Sequence, residues 1–324
     1  MACYTDLNLN DKRVLITGGA GFIGSALAHH IQHCWPQARI TVFDAFVLGH
    51  FKNLIGFKGE VISGDIANPA DMARLAEREF DYIFHQAAIS DTTVQDQRLV
   101  MAVNTNTFTD ILEMAVKMGA GVVYASSAGT YGNSPAPNRV GEGERPENVY
   151  GFSKLMMDMI AYDYIKRYPH MNIVGLRYFN VYGPGEFYKG RTASMILQLG
   201  LQMLAGKRPK LFKWGEQKRD FVYIEDVIQA NIKALEPEES GVYNVGSGEA
   251  RQFNEIYGLL TQELGIEIPV EYIDNPWNFY QNHTEADIES TKAMLGYAPR
   301  FRLEDGIKAY VPEIRRIYER EAAK

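Results

Sequence analysis

Arg13-Val-Leu-Ile-Thr17, followed at once by Gly18-Gly-Ala-Gly21-Phe22-Ile23-Gly24, decides how the chain reads. The first five residues are a short, mostly apolar run bounded by glycine, which predicts a buried strand. The glycines then open a stretch, 22–32, whose apolar residues are spaced as on a helix. Glycine is demanded here on three counts: the turn is tight, the backbone must come close to a pyrophosphate, and the helix must pack against the strand it leaves. The helix N-terminus offers free N–H groups and the positive end of its dipole to an anion. Such a glycine pattern is weak alone. Here its context is right, because Asp44 ends a second apolar run, 40–43, about twenty residues further on, where a carboxylate binds a ribose hydroxyl.

Outward from this start, further apolar runs at 60–63, 81–85, 121–125 and 172–177 read as strands, with helical stretches between them such as 71–79 and 107–118. Strands alternating with helices imply right-handed crossovers and a parallel sheet covered on both faces. The expected fold is therefore α/β, a Rossmann doubly wound parallel sheet with a smaller C-terminal substrate-binding lobe. Residues 1–180 and 225–250 are assigned to the dinucleotide-binding domain, because 226–235 and 241–245 read as a helix and a strand returning to the main sheet. Residues 181–224 and 251–324 are assigned to the lobe, with helices expected at 253–264 and 303–321. Ligands of open α/β sheets lie beyond the carboxyl ends of the strands. Asp65 and Ile66 after the third strand and Gln86, Ala87 and Ala88 after the fourth are accordingly expected in the same crevice.

A length of 324 residues exceeds what a single core of about 250–300 residues holds, which fits a main domain plus a lobe. Lys and Arg number 33 against 40 Asp and Glu, so the chain carries no electrostatic footprint for nucleic acid. No apolar run reaches the roughly 20 residues that span a bilayer, and residues 1–13 lack the apolar core of a signal peptide. A cytoplasmic protein is expected. Cys3 and Cys34 are the only cysteines, which excludes a disulfide framework and a Cys-rich metal site; no metal is expected.

Tyr150-Gly-Phe-Ser-Lys154 places a phenol and an amine four residues apart, on one face of a helix. An ammonium near a phenol favours the phenolate and lowers its pKa from about 10. The result is a base that takes a hydroxyl proton while hydride leaves for a nicotinamide. Ser127, just past the fifth strand, can hold the same substrate oxygen. The spacing is common by chance; its weight comes from convergence with the glycine loop.

With these motifs together, the chain resembles the extended short-chain dehydrogenase/reductase superfamily over essentially its whole length, later motifs included (Arg219-Asp-Phe-Val-Tyr-Ile-Glu-Asp226 and Tyr243-Asn-Val-Gly246). Within it, the closer resemblance is to the ADP-glyceromanno-heptose 6-epimerase family. It is carried by Tyr124-Ala-Ser-Ser-Ala128, Asn148-Val-Tyr-Gly151, Arg177-Tyr-Phe-Asn-Val-Tyr-Gly-Pro184, Lys189-Gly-Arg-Thr-Ala-Ser194 and Lys210-Leu-Phe212. The Lys189 segment is the most discriminating.

The resemblance implies an ADP-sugar substrate, inverted at C6″ through a transient ketone to give a precursor of lipopolysaccharide core. It implies bound NADP, and a homo-oligomer, with pentamers among the family's assemblies. Lys189 becomes a second acid/base group beside the Ser127, Tyr150 and Lys154 set. Cofactor contacts are further implied at Asn104 and Val181, and substrate contacts at Asn180, Gln198, Phe212 and Tyr280. Arg219 suits a diphosphate by its forked guanidinium. Arg191 stands where relatives carry a small residue, and is included among the substrate contacts. The connection after Asp44, through His50, is shorter than in relatives, whose basic loop would meet the 2′-phosphate of NADP. Asp44 by its charge favours NAD; Lys52 can offset it.

A UDP-sugar 4-epimerase uses the same Ser/Tyr/Lys set and stays open as the alternative. A dehydratase would want a carboxylic acid after the serine, where Ala128-Gly-Thr130 stands. A non-catalytic cofactor sensor could do without the three catalytic residues, all of which are present.

Overall fold

The computed structural model describes residues 2–274 and 281–323. In chain order the elements are β1 (Arg13–Thr17), α1 (Phe22–Cys34), β2 (Arg39–Asp44), β3 (Glu60–Ser63), α2 (Pro69–Ala76), β4 (Tyr82–His85), α3 (Gln97–Met101), α4 (Thr107–Met118), β5 (Gly121–Ser127), α5 (Val149–Arg167), β6 (Ile173–Tyr178), β7 (Asn180–Tyr182), α6 (Met195–Leu204), β8 (Lys210–Phe212), β9 (Lys218–Tyr223), α7 (Ile224–Lys233), β10 (Gly241–Val245), β11 (Ala250–Gln252), α8 (Phe253–Leu264), β12 (Glu271–Ile273), α9 (Glu289–Leu295) and α10 (Leu303–Ala322).

Seven strands pair in the order β10-β6-β5-β4-β1-β2-β3, every pair parallel. The doubly wound sheet is thus present, and β10 returns to it beside β6 as expected. The pleat sends alternate residues to opposite faces. Val14 and Ile16 of β1 join one buried cluster and Leu15 the other. The first cluster runs without interruption from β1 and α1 into α6, α8 and α10, so the C-terminal elements share the core of the sheet rather than hanging from it. Order along the sheet reverses between β1 and β4, which opens a crevice at their carboxyl ends. Two small sheets, β11-β9-β7 and β12-β8, flank the C-terminal helices.

Two cysteines make no framework but suffice for one bond, and Cys3 and Cys34 form a disulfide across 31 residues of chain, with Cα atoms 5.6 Å apart, tying the N-terminal segment to the end of α1. Among the described residues no helix is long and apolar enough to cross a membrane.

Leu260 of α8 is fully buried, and the Gly200 backbone of α6 lies against it and Ile314 of α10. Leu260→Ala should lower the unfolding free energy by about 3 kcal/mol. Urea denaturation followed by fluorescence and circular dichroism should show one coincident transition; two separate transitions would contradict a shared core.

Candidate active site

The crevice is a cleft of about 500 Å³ walled by the ends of β1, β2, β4 and β5, the start of α1, and the 178–192 segment. Gly18 adopts φ +66°, and a Cβ there would lie 2.6 Å from the Ala87 nitrogen. Only glycine lets the β1 turn press against the β4 turn so closely. The cap of α1 is Gly21, with no side chain on the helix's first N–H groups and no acid in its first turn. Those amides therefore stay open to an anion.

Asp44 is buried at the end of β2. Its Oδ2 accepts the Ala20 N–H at 2.9 Å and its Oδ1 the Phe46 N–H at 2.7 Å. Burial pushes its pKa up, against those two bonds. Asp65, Ile66, Gln86, Ala87, Ala88, Phe22, Ile23, Gly24 and Val181 line the same cleft, as sequence reasoning expected.

At the other end of the cleft, Asn148 caps α5 through the Gly151 N–H at 2.8 Å and so sets the start of the helix that carries Tyr150 and Lys154. β5 runs two residues further than its apolar pattern predicts and delivers Ser127 at its tip. Ser127 is hydrogen-bonded to the Tyr150 phenol, which works against the upward push of burial on that phenol. The downward shift expected from Lys154 does not prevail. The Lys154 ammonium donates instead to the Ala125 carbonyl at 2.7 Å and lies 6.0 Å from the Tyr150 ring centre. Burial brings Lys154 itself down to about 8, against the opposing charge of Asp158.

Lys189 also lines the cleft, 5.6 Å from the Phe22 ring centre. Burial lowers its pKa, and the nearby Glu186 carboxylate acts the other way. Glu186 was missed in the sequence. It is fully buried and fixes the Lys189 segment to α6 by accepting the Ser194 hydroxyl at 2.7 Å and the Gly183 N–H at 3.2 Å. Tyr188, also missed, lines the cleft and stacks on His50 at 4.0 Å.

Several expected site residues fall elsewhere. Lys52 lies 5.8 Å over the Tyr188 ring and is not part of the wall. Asn104 is buried beneath it, its amide bonded to both the N–H and the carbonyl of Ile89 and to Ser153, so it shapes the Ile89 loop rather than facing the cleft. Arg191 points out to pair with Asp91 at 2.7 Å, and Gln198 donates to the Ala193 carbonyl at 2.7 Å. Asn180 is exposed on β7, and Phe212 sits on β8. Arg219 is buried on β9, with its guanidinium 5.9 Å from the Phe253 ring centre. None of these last five, Arg191, Gln198, Asn180, Phe212 and Arg219, lines the cleft. Tyr280 lies outside the described residues.

Behind the site, Asp158 lies one helical turn beyond Lys154 and is fully buried. Its Oδ1 accepts the Tyr124 hydroxyl at 2.9 Å; its Oδ2 accepts the Ser126 hydroxyl at 3.0 Å and the Arg177 Nε at 2.9 Å. Arg177 also donates to Glu144 at 2.8 Å. One carboxylate thus ties α5 to β5 and β6.

The model of the NAD dependent epimerase/dehydratase family matches residues 14–246. The structure is similar to that of the ADP-L-glycero-D-manno-heptose-6-epimerase of Helicobacter pylori, at 55% identity and a TM-score of 0.91, covering 97% of this chain and 99% of that one. It is also similar to the UDP-glucose 4-epimerase of Thermotoga maritima, at 28% identity and 0.86, covering 96% and 100%. The UDP-N-acetylglucosamine 4-epimerase of Methanobrevibacter ruminantium M1 matches at 26% and 0.86, covering 95% and 99%.

Asp158→Asn removes the charge that faces buried Arg177. It should cost about 3–5 kcal/mol of stability, as breaking a buried pair does. Thermal and chemical denaturation would measure it; a loss below about 1 kcal/mol would contradict the assigned role.

Proposed function

The chain belongs to the NAD dependent epimerase/dehydratase family and is a sugar-nucleotide epimerase, and from that premise we propose that it inverts C6″ of ADP-D-glycero-D-manno-heptose to give ADP-L-glycero-D-manno-heptose. The observation that carries this reading is the convergence of Ser127, Tyr150 and Lys189 on the lining of one cleft. The 55% identity to the Helicobacter pylori enzyme supports the choice of heptose.

The glycine cradle and the open N-terminus of α1 fit a nicotinamide dinucleotide, which supplies a reversible hydride acceptor at the substrate carbon. The resemblance of the sequence suggests NADP. Structures of MoeE5 and of the Bacillus cereus UDP-glucuronic acid 4-epimerase, at 26–28% identity, are complexes with NAD.

In the proposed cycle Ser127 holds the C6″ hydroxyl and a basic side chain takes its proton as C6″ gives up hydride, leaving a ketone. The ketone turns over in the cleft, and hydride returns to its other face. The oxygen regains a proton from the acid on the side it now faces. Tyr150 serves one orientation and Lys189 the other; burial, which lowers the pKa of Lys189, eases the loss of its proton. Lys154, anchored on the Ala125 carbonyl, positions the cofactor ribose and holds positive charge below the phenol as long as it stays protonated. The C-terminal elements would hold the ADP moiety, with Arg219, Asn180 and Phe212 as contacts made when substrate is bound. The same reading places the enzyme in the cytoplasm as a homo-oligomer serving lipopolysaccharide core synthesis.

Proton NMR of the purified protein with ADP-D-glycero-D-manno-heptose and no added cofactor should show inversion at C6″ without net release of reduced cofactor. No conversion, even with NAD and NADP added in turn, but turnover of UDP-galactose would replace the heptose reading with a UDP-sugar 4-epimerase. Tyr150→Phe should lower the turnover number by about 10²–10⁴-fold, the range for a lost acid/base group, with substrate binding by calorimetry retained. Unchanged turnover would remove Tyr150 from the chemistry.

A further inference from the structure

The N-terminal segment is fastened by a bond that a cytoplasmic enzyme does not ordinarily keep. Thiols of that compartment are held reduced, and the disulfides found there are mostly transient or redox-sensing. Cys3 and Cys34 are bonded here, and both residues are half-buried rather than sealed in the core. Cys3 lines an open hollow of about 450 Å³, together with Asp6, Lys233 and Glu236, which gives a small thiol a wet approach to it. Cys34 is not part of that lining.

The two sulfurs also differ in their neighbours. His30, one turn before Cys34 on α1, brings Nε2 to 3.7 Å from the Cys34 sulfur. A disulfide sulfur carries no hydrogen, so the ring is the donor in this contact and its proton sits on Nε2. Burial holds the His30 pKa down to about 4, which keeps the ring neutral. An N–H aimed at one sulfur steadies negative charge there, and the sulfur better able to leave as a thiolate is the one that a disulfide gives up.

What the bond holds is a strap laid across several elements. Tyr4 lies in the left-handed region at φ +64°, where a tyrosine is uncommon. Its ring stacks on His30 at 5.3 Å, and its hydroxyl is hydrogen-bonded to Arg300, shortly before α10. The Thr5 hydroxyl donates to Glu236, just beyond α7, at 2.7 Å. Leu9 is fully buried and anchors the far end of the strap. Residues 3–6 thus join the last turns of α1 to elements late in the chain. With thirteen residues α1 is about 20 Å long, which separates the strap from the glycine turn at its other end.

We infer, on the cytoplasmic setting proposed above, that Cys3–Cys34 is a reversible thiol–disulfide exchange site for a glutathione-class thiol, and that its reduction frees the strap of residues 2–6. A thiolate attacks Cys3 Sγ, the S–S bond breaks, and its electron pair goes to Cys34 Sγ, which His30 faces and which then takes a proton from solvent. A second thiol attacks the mixed disulfide and releases Cys3. In sum the protein gains two electrons and two protons, and two small thiols become one disulfide. Without the bond, Tyr4 loses a restraint that keeps it in its unfavourable backbone conformation.

Maleimide labelling of the native protein, read by intact mass, tests this, since Cys3 and Cys34 are the only cysteines. Protein purified in air should take no label, protein treated with excess reduced glutathione should take two, and oxidised glutathione should abolish the labelling again. Reduction should lower the melting temperature by about 5 °C, because the bond spans 31 residues of chain. Cys3→Ser should melt at that lower temperature with or without glutathione. His30→Phe keeps a ring against Tyr4 and removes the Nε2 donor, and should slow reduction by about fivefold or more; an unchanged rate would overturn Cys34 as the leaving sulfur. Two labels on air-purified protein would show that no bond forms, and a bond that yields to glutathione only after denaturation would be a fixed brace. Either result overturns the exchange site, and an unchanged melting temperature on reduction overturns the release of the strap. None of these readouts involves a sugar or a dinucleotide, so they stand apart from any failure of the epimerase reading.

Discussion

One buried carboxylate holds the catalytic end of this molecule together. Asp158 accepts a hydroxyl from Tyr124 and another from Ser126 on β5, and the guanidinium of Arg177 on β6. It sits on α5 one turn beyond Lys154 and two beyond Tyr150. The strand that ends at Ser127 and the helix that carries the phenol and the amine are therefore fixed to each other through a single group. An ionised carboxylate out of water is tolerated only when its lone pairs are met, and here three donors meet them. Arg177 extends the tie to Glu144 in the connection that leads into α5 and lies 4.9 Å from the Tyr131 ring centre. The same charge acts on Lys154, opposing the downward push of burial on its pKa.

The opposite end of the cleft depends on the absence of atoms. Gly18 has no Cβ, and its backbone touches that of Ala87 across the point where the strand order reverses. The crevice, the open amides of α1 and the position of Asp44 all follow from that approach. Between the two ends lies the Lys189 segment, which Glu186 fastens to α6 and which Tyr188 joins to the 44–50 connection by stacking on His50. These three anchors fix the walls of the cleft that Ser127, Tyr150 and Lys189 line.

Local pattern was enough to read the strands, the glycine turn and the crevice at the strand ends, because each is carried by neighbours in sequence, and the structure brings Ser127, Tyr150 and Lys154 to the same cleft. What stayed hidden depends on partners far along the chain. Asp158 lies inside α5, and its partner Arg177 comes from the next strand. Arg191 reads as a cleft cation, yet its partner Asp91 lies on a loop a hundred residues earlier. Asn104, expected at the cofactor, braces the Ile89 loop that lines the cleft, and Lys52 is diverted by an aromatic ring from another segment. The Cys3–Cys34 bond likewise joins residues 31 apart, and two cysteines alone carry no local pattern that marks it.

The central claim is that hydride leaves one carbon and returns to that same carbon on its other face. Substrate deuterated at C6″, incubated with the enzyme in ordinary water, tests it most directly, with the product examined by mass spectrometry and NMR. Full retention of deuterium at the inverted centre is the predicted result. Loss of the label to solvent would show that the carbon is inverted by proton exchange, and would contradict the account built on Ser127, Tyr150, Lys154 and Lys189.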